Sequence, residues 1–142
     1  MTTIQQLLDK KGRDFLTIGS DDTVLDAIKK MAENNVGSLI VLESEKLAGI
    51  VTERHYARNV FLKGRSSPKT TVREIMSTRV VCARPEQSVE ECMAVMTDKA
   101  VRHLPVLDNK QVIGIISIGD LVKNIISDQK FIIEQLEHYL SG

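Results

Sequence analysis

The chain has 142 residues, 42% hydrophobic and 27% charged, which suits one compact domain or two small halves sharing a core. Nineteen basic residues balance nineteen acidic ones, so the chain lacks the large positive field that non-specific nucleic-acid binding needs. No apolar run approaches the roughly 18 residues of a membrane span, and no membrane association is expected.

The opening segment MTTIQQLLDKKG has neither the long apolar core nor the small-residue cleavage site of a signal peptide. Cys82 and Cys92 have no CxxC spacing and read as reduced thiols, Cys92 on the buried face of a helix. These features predict a cytoplasmic protein. TIQQLL (3–8) reads as a short lead-in helix and Phe15–Ile18 as a short strand. Thr23, behind Asp21 and Asp22, is an N-cap for a helix in which Val24, Ala27, Ile28 and Met31 fall at helical spacing. SLIVL (38–42) and LAGIV (47–51) flank the polar turn ESEK and read as a β-hairpin. Thr52 begins another helix. GRSSPKT (64–70) has the Gly, Ser and Pro of a linker, and TVREIM (71–76) reads as a second short lead-in helix.

The same order then recurs. Shifting the chain by 65 positions places Val24, Met31, Val36, Leu39, Val41, Leu42, Gly49, Ile50 and Asn59 on Val89, Met96, Val101, Leu104, Val106, Leu107, Gly114, Ile115 and Asn124. Val80–Ala83 becomes a strand, Ser88 an N-cap, and HLPVL with VIGII a second hairpin. Repetition of this length means two copies of one β-α-β-β-α unit. Neither copy is long enough to bury much alone, so the two are expected to pack together. From Ile118 to Leu140 a broken apolar stripe predicts a long amphipathic helix, interrupted near Ser127-Asp128, that covers its own core or packs on another subunit.

The repeat contains nearly the same heptapeptide twice, GIVTERH (49–55) and GIISIGD (114–120). Gly49 and Gly114 permit close backbone approach. Thr52 and Ser117 cap helices whose N-termini carry exposed N–H groups and partial positive charge, suited to a phosphate or a hydroxyl-rich ligand. Asp120 can accept from both vicinal hydroxyls of a ribose. Equally, Ser117 with Asp120 is nearly a capping box and needs no ligand to be useful. Arg102 and His103, just before the strand LPVL, suit phosphate oxygens. A neutral His55 cannot accept from two hydroxyls; a protonated one would face a phosphate, with Arg54 and Arg58 nearby in sequence.

TVREIM, VRHLPVLDNKQVIGIISIGDL and GSLIVLESEKLAGIVTERHYA together resemble the CBS-domain family in its tandem form, the Bateman module, from about Thr3 to Ile126. The resemblance implies an α/β (α+β) fold: two pseudo-symmetric CBS repeats packed through their sheets, with an extra C-terminal helix. It places the first repeat at 1–63, a linker at 64–70, the second repeat at 71–127 and a helical extension at 128–142. It also implies clefts for adenosine-containing ligands: AMP, ADP, ATP, NAD(H) or S-adenosylmethionine. Ser117 and Asp120, and Thr52 in the first copy, match the ribose positions, while His55 departs from the acidic residue of the pattern. Arg102 and His103 match the phosphate positions. A homodimer and a separate regulated protein partner are implied as well.

No GxSxG, HExxH or P-loop is present, and nothing around Cys82 and His103 supports a nucleophile pair. The spacing of His55, His103, His138 and the cysteines fits no usual metal set. The expectation is a non-catalytic sensor without catalytic residues or a metal. The alternative is a structural or protein-interaction module with vestigial clefts.

Overall fold

The computed structural model describes residues 1–141. Their contacts divide into two compact units, each built around one copy of the repeat. One unit holds Asp14–Val81 with the turn Asn109–Val112; the other holds Met1–Arg13, Cys82–Asp108 and the chain from Ile113 onward.

The chain opens with α1 (Ile4–Lys11), closed at its start by a capping box between Thr3 and Gln6. In the unit of residues 14–81, β1 (Thr17–Gly19) runs parallel to β2 (Ser38–Glu43), which pairs antiparallel with β3 (Lys46–Thr52). Between β1 and β2 lies α2 (Val24–Asn34), capped by the Thr23 hydroxyl, with Val24, Ala27 and Met31 buried. They pack in one cluster with Leu39, Val41 and Val51 of the sheet and with Val60 and Val72. After β3 come α3 (Glu53–Tyr56) and one π-helical turn, Ala57–Phe61.

The other unit repeats this plan down to its backbone angles. Ser88 caps α4 (Val89–Lys99), and β4 (His103–Asp108) pairs with β5 (Gln111–Ser117). Both hairpins turn through two residues at positive φ, Ser44 and Glu45 at 50° and 65°, Asn109 and Lys110 at 50° and 66°, the requirement of a tight two-residue hairpin turn. Both middle helices end on a left-handed residue, Asn35 in one copy and Ala100 in the other.

The structure differs from the sequence reading in four places. The strand expected at Val80–Ala83 is reduced to a single bridge between Ala83 and Val106. In the first copy the Ile40 amide donates to the Leu16 carbonyl at 3.1 Å. The residue 65 positions on is Pro105, which has no N–H to give, so the ladder is shorter. TVREIM forms only one 3-10 turn, Val72–Glu74. The C-terminal helix α5 (Ile118–Ser141) is unbroken at Ser127-Asp128; neither residue is a Pro or Gly, and the Asp128 carboxylate accepts from the Thr2 hydroxyl at 3.2 Å.

The fourth difference concerns the lead-in segments, which are exchanged. TIQQLL reads as leading into the first copy, yet α1 is bound to the second. The Ile4 amide donates to the Gln87 carbonyl at 2.8 Å, and the Val89 amide to the Thr2 carbonyl at 3.0 Å. The segment 70–77 is bound to the first copy: the Val24 amide donates to Thr70 and the Val72 amide to Asp22, both at 2.8 Å. The repeated glycines serve this exchange. A Cβ on Gly49 would lie 2.6 Å from the Ser77 carbonyl oxygen, and one on Gly114 would lie 2.9 Å from Leu8. Their close approach is to these segments of the chain itself.

Candidate functional site

Ser117 ends β5 and Asp120 sits in the first turn of α5. The Asp120 amide donates to Ser117 Oγ at 3.2 Å, and the Ser117 amide donates back to Asp120 Oδ2 at 2.8 Å. This is a closed capping box with Asp in the usual place of Glu. A third group joins it. Lys11, from the last turn of α1, donates through Nζ to Asp120 Oδ2 at 2.5 Å and to the Ile115 carbonyl at 2.6 Å. Both side chains are largely covered, 30% and 20% exposed. Among the described residues, no hydrogen bond reaches Asp120 Oδ1.

The electrostatics follow from this packing. Burial pushes the Asp120 carboxyl up. The hydrogen bonds from Lys11 and Ser117, with the lysine charge, outweigh burial and hold it below its ordinary value. The Arg102 carbonyl accepts from the Ile118 amide at 2.9 Å, fastening the start of β4 to the start of α5. His103 is half-buried; burial lowers its pKa, Asp120 pulls it up, and Lys11 and Arg102 push it down again. Ser117, Asp120, Arg102 and His103 therefore come together within one unit, as the sequence suggested. Lys11 was missed, because 109 positions separate it from Asp120 and only the exchange of lead-ins brings them into contact.

The counterpart in the other unit is built the same way. The His55 amide donates to Thr52 Oγ1 at 3.1 Å, and the Thr52 amide donates to His55 Nδ1 at 3.1 Å. The Glu53 amide donates to the Gly37 carbonyl at 3.1 Å, as Ile118 does to Arg102. His55 thus takes over the acceptor role of Asp120 in the cap. An imidazole that accepts at Nδ1 carries its proton on Nε2. Burial, then the charges of Arg54 and Arg58, lower its pKa, so the ring stays neutral. The two arginines stand beside His55 as expected, but they oppose its protonation.

One open depression of about 360 Å³ lies elsewhere, between Gly19–Asp22, the β2–β3 turn and Arg73. The Arg73 guanidinium there bonds Asp21 at 2.9 Å, Glu43 at 2.6 Å and Ser20 at 3.0 Å, fastening the second lead-in to its unit. Burial raises both cysteines, and with Glu91 close by the Cys92 thiol is pushed up to about 11. Such thiols are poor nucleophiles at neutral pH. Among the described residues no group of three or more His, Cys, Asp and Glu is placed to hold a metal ion, and no helix is long and apolar enough to cross a membrane.

Comparison with known proteins agrees with this architecture. The CBS domain model matches twice, at residues 11–61 and 72–127. The CBS domain-containing protein CBSX3, mitochondrial, of Arabidopsis thaliana is 39% identical over 99% of this chain and 73% of its own length. A solved structure of a CBS-domain protein from Burkholderia ambifaria is 53% identical, with a TM-score of 0.87 over 90% of this chain and 96% of that one. The CBS domain pair of protein MJ0100, solved with 5′-methylthioadenosine and S-adenosyl-L-methionine, shares the fold at 23% identity and a TM-score of 0.79, covering 90% and 98%. With two matched repeats and relatives aligned along nearly its whole length, this chain belongs to the CBS-domain family, as a tandem pair.

Proposed function

We propose that the chain is a non-catalytic regulatory sensor that takes an adenosine-containing ligand at the Ser117/Asp120 site and passes its state to a separate protein, in the cytoplasm. The carrying observation is Asp120: an ionised, four-fifths-covered carboxylate with both protein hydrogen bonds on Oδ2. Its other oxygen is an acceptor for a ribose hydroxyl, and charge-assisted bonds of this kind are about twice as strong as neutral ones. Lys11, Arg102 and His103 supply donors beside it for phosphate oxygens. AMP, ATP and NAD(H) all carry both groups. The precedent of the MJ0100 pair with two adenosine compounds supports the ligand class.

The copies are unequal in this reading. His55 has spent its acceptor on the Thr52 amide and offers only the Nε2 proton. His55 therefore cannot accept from ribose hydroxyls as Asp120 can, and one ligand per chain is expected. A second reading has its own observation: both capping boxes are complete without any ligand. In that case the sites are vestigial and the chain works through protein contacts.

Calorimetric titration of AMP, ATP, NAD, NADH and S-adenosylmethionine separates the two. Asp120→Asn keeps an oxygen for the Ser117 amide while removing the charge. On the sensor reading one ligand binds at one per chain and the variant binds it roughly ten- to a hundredfold more weakly. Equal binding by the variant, or no binding by the native chain, assigns Ser117 and Asp120 to helix capping alone.

A further inference from the structure

A carboxylate has about four acceptor positions, two on each oxygen. On Asp120 the Ser117 amide takes one position of Oδ2 at 2.8 Å, and Lys11 Nζ takes the other at 2.5 Å. Oδ2 is then full, and Oδ1 is the charged acceptor that remains for a ligand. Ser117 Oγ already accepts from the Asp120 amide at 3.2 Å, so it adds one neutral lone pair and its own proton. Lys11 is held in place by more than the carboxylate. Its Nζ also donates to the Ile115 carbonyl at 2.6 Å. It ends α1, whose Leu8 is fully buried and fills the space that Gly114 leaves open. The Ile4 and Gln5 amides fasten the other end of that helix to the Gln87 and Pro85 carbonyls. A hydroxyl that displaced Lys11 from Oδ2 would replace an ammonium with a neutral donor, and the ammonium makes the stronger bond.

We infer that Lys11 is a specificity-determining residue that keeps Asp120 from gripping both hydroxyls of a ribose. This rests on the sensor reading of the site and goes on to say which ligands it tells apart. One hydroxyl donates to Oδ1 and meets the charge. Its vicinal neighbour meets at best the neutral Ser117 Oγ. A carboxylate with both oxygens open would give each hydroxyl a charged partner of its own. The site therefore demands one hydroxyl of an adenosine compound and tolerates loss of the other. The third Nζ proton stays available to a phosphate oxygen.

Calorimetric titration of AMP and ATP, each with its 2′-deoxy and 3′-deoxy analogues, tests this on the full chain and on Lys11→Met. On the native chain one analogue binds about ten- to a hundredfold more weakly than its parent, and the other stays within about threefold. Lys11→Met opens the second position on Oδ2, and both analogues then fall about tenfold or more below the parent. Ratios to the parent are taken within each protein, so a general weakening from the lost ammonium or a loosened α1 cancels. Two costly deletions on the native chain overturn the inference and leave the sensor reading standing. A Lys11→Met chain that keeps the native asymmetry assigns it to another group, which also overturns the inference. Two harmless deletions, or no binding of AMP and ATP to the native chain, overturn the ribose assignment of Asp120 and the inference with it.

Discussion

The difference between Asp120 and His55 is one of acceptor number within a shared role. Both side chains accept from the backbone amide three residues back, and both close the same cap. After that bond the carboxylate has lone pairs left and the imidazole has only a proton. The capping geometry was legible, because it follows from residue type and a spacing of three. The part played by Lys11 was not, since no local pattern signals a contact made by exchanged segments. Lys11→Met is expected to raise the Asp120 pKa above its native value, which lies below the ordinary 3.8, read by NMR titration of the carboxyl carbon. His55 gives a pH signature of opposite character to a surface histidine. Its folded pKa lies below the ordinary 6.5, so the unfolded chain binds the proton first. The stability that His55 contributes is full above 6.5 and is lost as pH falls through the folded value. His55→Gln keeps a neutral acceptor at the third helical position. Thermal melts between pH 7 and 5 should show a shallower loss for the variant than for the native chain. His103, which burial also lowers, contributes to the remaining slope, joined toward pH 5 by the lowered carboxyls of Asp120 and Glu74. An identical slope in the two proteins would mean that burial and the two arginines do not lower the His55 pKa in the folded chain.

Among the elements, the middle helices and the hairpins were the most readable. Thr23 and Ser88 stand where caps belong, and the apolar positions behind them are buried as their spacing required, apart from Ile28 and Met93, which are half-buried. The strand at 80–83 was misread for a reason that lies on its partner: Val80–Ala83 is apolar enough, but Pro105 withholds the bond that Ile40 makes. The backbone of the repeat also points to a weak spot. Asn35 and Ala100 occupy the same left-handed position after α2 and α4, at φ 53° and 54°. Asn tolerates this conformation and Ala does not, at a cost of roughly 1–2 kcal/mol. Ala100→Gly should therefore stabilise the protein by about 0.5–1 kcal/mol in denaturant unfolding. A loss of stability would show that the Ala100 methyl group makes contacts worth more than the relief of its backbone.

At the scale of the whole chain, the repeat boundaries and the boundaries of the compact units do not coincide. Internal similarity marks where a unit was copied, and hydrogen bonds mark where each segment now rests. A fragment cut by similarity, residues 1–63, keeps α1 away from its partners at Pro85, Gln87 and Val89 and lacks the segment 70–77 that closes over Gly49. A fragment of residues 14–81 keeps nearly all of one unit. Amide exchange should show more protected amides in β2 and β3 of the second fragment than of the first; equal protection would mean that the 70–77 contacts contribute little. Small fragments of this size are marginal in any case, which makes the ranking the informative quantity. The exchange also sets a timetable for biosynthesis. Helix α1 leaves the ribosome well before its partners, because the surface that receives Leu8 and Lys11 includes Gly114, Ile115 and Asp120. At about 5–20 residues per second, α1 waits several seconds with Ile4, Leu7 and Leu8 uncovered. During that interval a nascent-chain chaperone has a defined apolar segment to hold, and a ribosome paused before Asp120 carries a chain in which α1 can reach Pro85 and Gln87 but not yet the groups that receive Leu8 and Lys11.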